Sequence, residues 1–219
     1  MLKSPFKVDV SVLGKRSERF LREFNNRRPA YRTKVFGIGF PKTGTTTLGA
    51  CMSILGYKHA SHNMTLASEV MSGQNKNALQ FAKRYESFED WPWFLLYREL
   101  SVRYPNAVFV HTIRSSTEIY LNSLRRHRER EGCFRADFET PPWWSTVFGH
   151  PPDYWNAEEF SERYELHNQQ VTEYFTEGLG ATCRFGTLCW EDGHGWIELC
   201  KLIGREAPLT DFPHANKAK

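Results

Sequence analysis

One short segment, PKTGTTT at residues 41–47, combines a lysine, a glycine and several hydroxyl side chains. Lys42 supplies a positive charge, and Gly44 allows a backbone shape that turns N–H groups toward an anion. The threonines predict the start of a helix, where unpaired N–H groups and the helix dipole favour negative charge. The segment therefore predicts a cradle for a phosphate or sulfate group, built from Pro41, Lys42, Thr43, Gly44, Thr45, Thr46 and Thr47.

The position of the lysine distinguishes this cradle from that of nucleotide triphosphatases. Gly39 and Gly44 have the spacing of the glycines in G-x-x-x-x-G-K-[ST], but Thr45 occupies the lysine position and Lys42 lies inside the loop. The apolar run AVFVHTI, residues 107–113, is followed by Arg114 rather than by the Asp that holds Mg²⁺ in such enzymes. A metal-dependent kinase of a small molecule is therefore the less favoured alternative, and no metal is expected.

Arg114 marks a second candidate anion site. The run that precedes it is typical of a buried strand, and ligands of open α/β sheets bind at the carboxyl ends of strands. Its planar guanidinium can bind phosphate through two parallel hydrogen bonds. Asn122 and Ser123 lie in the helix predicted to follow, and either could contact the same phosphate.

Strands and helices are predicted to alternate along the chain, which favours an α/β protein of the P-loop type. Its three layers are a central parallel sheet and the helices that flank it on both faces. We predict strands at 33–40, 57–59, 107–113 and 182–187, and helices at 45–56, 75–87, 93–103, 116–130, 157–177 and 196–203. We predict that residues 1–30 form a polar extension with a helix near 17–25, and that residues 31–219 form one domain. Residues 131–156, rich in Gly, Pro and Trp, predict a lid.

Composition limits the possible partners and the compartment. The 219 residues carry a net charge of +4, which suits a small anion at least as well as nucleic acid. The basic residues cluster at 15–34 and 114–130, and the first cluster is expected to be a solvated helix and linker. No apolar run approaches the roughly 18 residues of a membrane span, and no signal peptide is expected. Five cysteines without a C-x-x-C pair indicate reduced thiols and a cytoplasmic protein.

The loop resembles the 5′-phosphosulfate loop of sulfotransferases, P-K-[ST]-G-[ST]-[ST]-x-L, matched here from Pro41 to Leu48. Residues 90–114, 163–171 and 195–216 are also similar to the small single-domain branch of that family. The resemblance implies a sulfotransferase-like P-loop domain at 31–219. It also implies 3′-phosphoadenosine 5′-phosphosulfate (PAPS) as donor and 3′-phosphoadenosine 5′-phosphate (PAP) as product. The sulfuryl group would pass in line to a hydroxyl or amine of a small alcohol, sugar or amine.

The resemblance also implies roles for individual residues. Lys42 and the amides of residues 43–46 would bind the phosphosulfate and stabilise charge on the bridging oxygen. Arg114 would bind the 3′-phosphate together with a residue of the next helix. The family pattern has a serine where this chain has Asn122, and a serine follows at Ser123, so both remain candidates.

The base that takes the acceptor's proton is the least determined residue. Cytosolic sulfotransferases use a His followed by an apolar residue and Pro, and the comparable positions here are Asp90, Trp91 and Pro92. A carboxylate can be a base if a dry pocket raises its pKa, so Asp90 is the first candidate. An N-cap for the helix at Trp93 is the competing interpretation. The alternative bases are His59, His62 and Glu89.

Other aromatic and histidine residues have weaker assignments. The acceptor pocket is expected in residues 131–156, with Trp143, Trp144, Phe148 and Trp155, unless these rings only pack the lid. His111 and His167 are predicted to be core histidines. His214 lies in a segment that matches the family, but the sequence suggests no role for it. A nucleotide-binding protein that has lost catalysis is the main alternative function.

Overall fold

A central sheet of five parallel strands organises the computed structural model, which describes residues 33–213. The strands are β1 (Val35–Gly37), β2 (His59–Ala60), β3 (Ser87–Phe88), β4 (Val108–Ile113) and β5 (Arg184–Cys189). Their order across the sheet is β2-β3-β1-β4-β5. The α-helices are α1 (Thr45–Ile54), α2 (Met64–Met71), α3 (Lys76–Phe81), α4 (Tyr97–Arg103), α5 (Thr117–Arg130), α6 (Trp144–Phe148), α7 (Ala157–Thr176) and α8 (Trp196–Ile203).

Each face of the sheet buries its own hydrophobic core, because successive strand residues point to opposite faces. Phe36, Phe88 and Phe109 pack with side chains of α2, α3, α4 and α7. On the other face, Val35 and Val108 pack with side chains of α1 and α8. The result is three layers, helix on sheet on helix, so the predicted α/β fold with a parallel sheet is confirmed.

The predictions missed one strand of the sheet and one helix beside it. The helix predicted over 75–87 is α3 followed by a 3₁₀ turn at Ala82–Arg84, and residues 87 and 88 form β3 between β1 and β2. Helix α2 was not predicted at all; Asn63 caps it by accepting a hydrogen bond of 3.0 Å from the Leu66 N–H. The helix predicted over 93–103 begins as a 3₁₀ turn at Trp93–Leu95 and continues as α4.

The remaining predicted elements are present: α8 has the predicted bounds, the ends of β4, α1, α5, α7 and β5 differ by at most two residues, and those of β1 and β2 by at most three. The helix predicted near residues 17–25 lies outside the described residues. Within residues 33–213, no helix combines the length and the apolarity needed to cross a membrane.

Candidate active site

The segment from Gly39 to Thr46, here called the Lys42 loop, connects β1 to α1 through an unusual backbone. Lys42 has φ 76° and Gly44 has φ 90°, so the chain twice enters the left-handed region. Alternation of this kind points backbone N–H groups into a shared concavity. The first N–H groups of α1 add donors, because a helix leaves them without intrahelical partners. The loop therefore has the backbone of an anion cradle.

Hydroxyl groups fasten this loop to the sheet. The Thr43 hydroxyl donates to the Phe40 carbonyl at 2.7 Å and shares a hydrogen bond of 2.8 Å with the Thr112 hydroxyl on β4. Gly39 lies so close to β4 that a Cβ there would be 2.1 Å from Thr112 Oγ1. Thr43 is fully buried, and its hydroxyl contacts hold the loop in place.

Trp190, the residue after β5, supports the loop from the other side. Its indole N–H donates to the Gly44 carbonyl at 3.1 Å, and a Cβ on Gly44 would lie 2.3 Å from Trp190 Cδ1. A glycine is thus required at position 44, both because φ is positive and because the Trp190 indole leaves no room for a Cβ. The sequence prediction missed Trp190, although its position at the carboxyl end of a strand was an available signal.

Lys42 is half-buried, with several charges around it. Burial lowers its pKa, Asp90 opposes that effect, and Arg130 and Arg114 add to it. Of the threonines that follow, Thr45 and Thr47 are buried and Thr46 is exposed. An anion bound in the loop would be contacted by the partly desolvated Lys42 ammonium. The attraction between the two charges would exceed its value in water.

Asp90 lies against the start of α1. The Thr45 hydroxyl donates to its Oδ2 at 3.1 Å and the Trp91 N–H to its Oδ1 at 2.9 Å, while its backbone has φ 67°. Burial, followed by the charge of Glu89, raises the pKa of Asp90 to about 6. The side chain does not cap the turn at Trp93; the Asp90 backbone carbonyl accepts from the Trp93 N–H at 2.8 Å. The capping interpretation is therefore wrong for the carboxylate, which faces the Lys42 loop.

The three alternative bases have different environments. His62 is exposed. Glu89 is 3% exposed, and His59 Nε2 lies 3.6 Å from Glu89 Oε1. Glu89 and His59 lie under α1 rather than beside the loop, whereas Asp90 contacts Thr45 of the loop.

Arg114 connects three elements at the carboxyl edge of the sheet. Its Nε donates to the Lys42 carbonyl at 2.7 Å, its Nη2 donates to Ser123 Oγ at 3.1 Å, and its Nη1 forms an ion pair with Glu191. Its backbone N–H donates to the Tyr164 hydroxyl at 3.0 Å. Ser123 is thus the helix residue beside Arg114, and Asn122 is exposed. Glu191 and Tyr164 were not found from the sequence.

The face of α5 that carries Ser123 continues to His127, four residues on. Burial, followed by the charge of Lys42, lowers the pKa of His127 to about 4. His127 is therefore neutral near pH 7 and lies close enough to Lys42 to be affected by it. The sequence prediction did not include His127, although the helical spacing from Ser123 was a usable signal.

The predicted lid is organised around a buried arginine. Arg128 is 5% exposed, and its guanidinium lies over the rings of Phe134, Trp144 and Phe160 at 5.5 to 5.8 Å. Such contacts stabilise the charge of a desolvated cation. Arg128 also donates to the Pro152 carbonyl. Within the predicted pocket, Trp144 therefore packs the lid.

The other aromatic residues of the lid lie either toward Asp90 or at the opposite end of the lid. Phe148 contacts Trp91, the neighbour of Asp90, with ring centroids 5.6 Å apart. Trp143 is half-buried and stacks on Trp144 at 5.9 Å. Trp155 packs on Phe160 at 5.2 Å. Phe148 and Trp143, which packs on it at 6.2 Å, are thus the half-buried lid rings on the side of Trp91.

The two central histidines are part of the core, as predicted. His111 Nε2 is hydrogen-bonded to Asn168 Oδ1 at 3.0 Å, and His167 Nε2 to the Ile38 carbonyl at 2.8 Å. Burial lowers their pKa values to about 3 and about 4, so both are neutral near pH 7. His214 lies outside the described residues.

Comparison with known proteins identifies the family. The model of the sulfotransferase domain matches residues 34–219, which include the Lys42 loop, Asp90 and Arg114. No curated protein matches the sequence. Because the family model covers most of the chain, the protein belongs to the sulfotransferase domain family.

Proposed function

We propose that the protein transfers the sulfuryl group of PAPS to a hydroxyl or amine of a small acceptor. One observation carries the proposal. A carboxylate, Asp90, is held by the Thr45 hydroxyl at 3.1 Å, at the first residue of the helix that follows Lys42. A cation for the transferred group and a base for the acceptor are thus side by side.

The residues of the loop fit the donor. The positive φ values at Lys42 and Gly44 supply the concave row of N–H groups that a phosphosulfate needs. Arg114 and Ser123 are the proposed partners of the 3′-phosphate, with Asn122 at the exposed margin. A phosphate bound there would share the guanidinium with Glu191 or displace that carboxylate. No metal is required, because Lys42 and the backbone N–H groups supply the positive potential.

The proposed transfer is a single displacement at sulfur. Asp90 takes the proton of the acceptor hydroxyl or amine while the acceptor atom forms a bond to sulfur. The bond between sulfur and the bridging oxygen breaks, and its electron pair leaves on the phosphate of PAP. Lys42 and the first N–H groups of α1 stabilise that developing charge, and fixed positions supply much of the rate.

The acceptor would enter between Asp90 and the lid formed by residues 131–156. Phe148 and Trp143 offer apolar ring surface near Trp91, which suits an aromatic alcohol or the apolar face of a sugar. We place the reaction in the cytoplasm, because the five cysteines are unpaired in the structure.

Acceptor-dependent release of PAP tests the proposal. PAPS would be incubated with the protein and a panel of phenols, monosaccharides and primary amines, and PAP measured by chromatography. We expect at least one acceptor to raise PAP release above that of the Lys42→Met variant. Equal release by the two proteins across the panel would contradict sulfuryl transfer.

A second function is favoured by one observation, the ion pair that already engages Arg114 with Glu191. In this case the protein would bind the nucleotide without transferring a group. Binding of PAP together with no turnover of PAPS on any acceptor would support it. The kinase alternative has no comparable support, because Arg114 follows β4 where a metal-binding Asp would be needed.

A further inference from the structure

The carboxylate of Glu191 already engages the arginine that is proposed to bind the donor's 3′-phosphate. Its Oε1 forms an ion pair with Arg114 Nη1. Glu191 directly follows Trp190, whose indole holds the Gly44 carbonyl, so it lies at the same edge of the sheet as the Lys42 loop. A negative group of the protein thus stands where a negative group of the ligand would meet the guanidinium.

The guanidinium of Arg114 has few donors left for a phosphate. Its Nε donates to the Lys42 carbonyl at 2.7 Å, and its Nη2 donates to Ser123 Oγ at 3.1 Å. An arginine binds phosphate most strongly through two parallel hydrogen bonds from neighbouring nitrogens. Because the loop engages Nε, the pair that remains is Nη1 with Nη2, and Glu191 holds Nη1. The Glu191 charge would also repel a phosphate bound beside it.

Arg114 is held more firmly than Glu191, so the carboxylate is the group that can move. Besides the contacts of its side chain, the Arg114 backbone N–H donates to the Tyr164 hydroxyl at 3.0 Å. The second oxygen of Glu191, Oε2, accepts from the Cys189 thiol at 3.4 Å, and a thiol is a weak donor. The Glu191 side chain is 30% exposed, which lets the carboxylate turn into water.

We propose that Glu191 competes with the donor's 3′-phosphate for Arg114 and thereby limits how tightly PAP is held. The inference rests on the proposed function, in which Arg114 binds that phosphate. When the nucleotide binds, the carboxylate leaves the guanidinium and the phosphate takes its place. When PAP leaves, the ion pair forms again.

Such a competitor suits a contact that the donor and the product share. PAPS and PAP carry the same 3′-phosphate, and binding that does not change during the reaction lowers KM without raising kcat. Excess affinity at this contact would slow the release of PAP, and product release limits turnover in many enzymes. Glu191 therefore shortens the time for which PAP occupies the site, without affecting the transfer step.

The substitution Glu191→Gln tests the inference, because it removes the charge and keeps the size of the side chain. Calorimetric titration would measure the dissociation constants of PAP and of ADP, which has a 5′-diphosphate but no 3′-phosphate. We expect Glu191→Gln to bind PAP about fivefold more tightly than the original protein does, the effect of losing a partly exposed ion pair. ADP should bind equally to both proteins.

Asp192→Asn is the matched control, since it removes the same charge from the next residue, which is also exposed. Its affinity for PAP should remain that of the original protein. In turnover assays, PAP should inhibit Glu191→Gln at about one fifth of the concentration that inhibits the original protein.

Unchanged PAP binding by Glu191→Gln would overturn the inference. Weaker binding would also overturn it, because Glu191 would then orient Arg114 for the phosphate rather than compete with it. An equal gain in Asp192→Asn, or an equal gain for ADP, would show a general effect of negative charge and would count against competition at Arg114.

The titrations need no turnover, so the two proposals can fail separately. Tighter PAP binding by Glu191→Gln in a protein that transfers nothing would contradict sulfuryl transfer and leave the competition standing. Active transfer with equal PAP affinity in the two proteins would do the reverse. Binding of PAP by neither protein would contradict both.

Discussion

Gly44→Ala perturbs the Lys42 loop at the residue where backbone and packing requirements coincide. Gly44 has φ 90°, and an added Cβ would lie 2.3 Å from Trp190 Cδ1 and 2.4 Å from Trp190 Nε1. Trp190 is 9% exposed, and its indole N–H is bound to the Gly44 carbonyl, so it cannot move away without losing that bond. Either the indole or the loop must shift.

The expected loss of stability has two parts. A non-glycine residue at positive φ costs about 1–2 kcal/mol. Overpacking against a fixed ring costs roughly 1–3 kcal/mol more. Gly44→Ala should therefore lower the free energy of unfolding by about 2–5 kcal/mol. Gly73→Ala is the matched control: Gly73 has φ 78° with no atom within 4 Å of the added Cβ, so only the first part applies.

Urea unfolding at 25 °C and calorimetric titration with PAP would measure both consequences. We expect Gly44→Ala to lose more stability than Gly73→Ala and to bind PAP at least tenfold more weakly, a change of about 1.4 kcal/mol. Gly73→Ala should bind PAP like the original protein. Equal losses of stability in the two variants, or unaltered PAP binding by Gly44→Ala, would refute the account of the loop.

Three further predictions concern the charged residues of the site. Lys42→Met should abolish transfer and leave the urea midpoint unchanged, whereas Lys83→Met, at an exposed lysine, should leave both unchanged; unaltered turnover in Lys42→Met would exclude its role. Arg114→Ala should weaken PAP binding by about 2–3 kcal/mol, the loss of a charge-assisted contact, and calorimetry would show it; equal affinity would refute the assignment. Asp90→Asn should stop transfer yet raise the free energy of unfolding at pH 7.5 by roughly 1–3 kcal/mol. The sign follows from the pKa of Asp90, which is about 6 in the folded protein and 3.8 for an ordinary Asp. Above pH 6 the buried carboxylate is ionised and destabilises the folded protein, and Asp90→Asn removes this cost. Near pH 3.5 the carboxyl is largely protonated in both states, so urea titrations should show that the gain in stability vanishes there.

The Lys42 loop could be predicted because all its determinants are local. A buried strand, a glycine turn and a hydroxyl-rich helix start occupy one continuous segment, so the backbone of residues 35–54 follows from neighbouring residues. Arg114 could also be predicted as a site residue, because the apolar run of β4 indicates where the strand ends. The roles of these residues remain proposals.

The contacts that support the Lys42 loop and Arg114 could not be predicted from the sequence, because they join residues far apart in the chain. Trp190 and Gly44 are 146 positions apart, and Arg114 and Glu191 are 77 apart. Strand β3 was missed because Ser87 and Phe88 are too few to show an alternating pattern, and Ser87 is polar although buried. Only its pairing between β1 and β2 identifies it as a strand.

The choice between Asn122 and Ser123 shows the same limit. Neighbouring helix residues point about 100° apart, so a helix rotated by one residue would exchange the two. Packing of α5 sets that rotation: Tyr120 stacks on Tyr164 with ring centroids 4.1 Å apart. Ser123 is consequently the residue beside Arg114.

Calorimetric titration with PAP, with ATP and Mg²⁺ as the comparison, tests the central claim most directly. It needs no acceptor and examines the Lys42 loop and Arg114 together. We predict tight binding of PAP and much weaker binding of ATP with Mg²⁺. Binding of ATP with Mg²⁺ in preference to PAP, or binding of neither, would contradict a PAPS-dependent sulfotransferase.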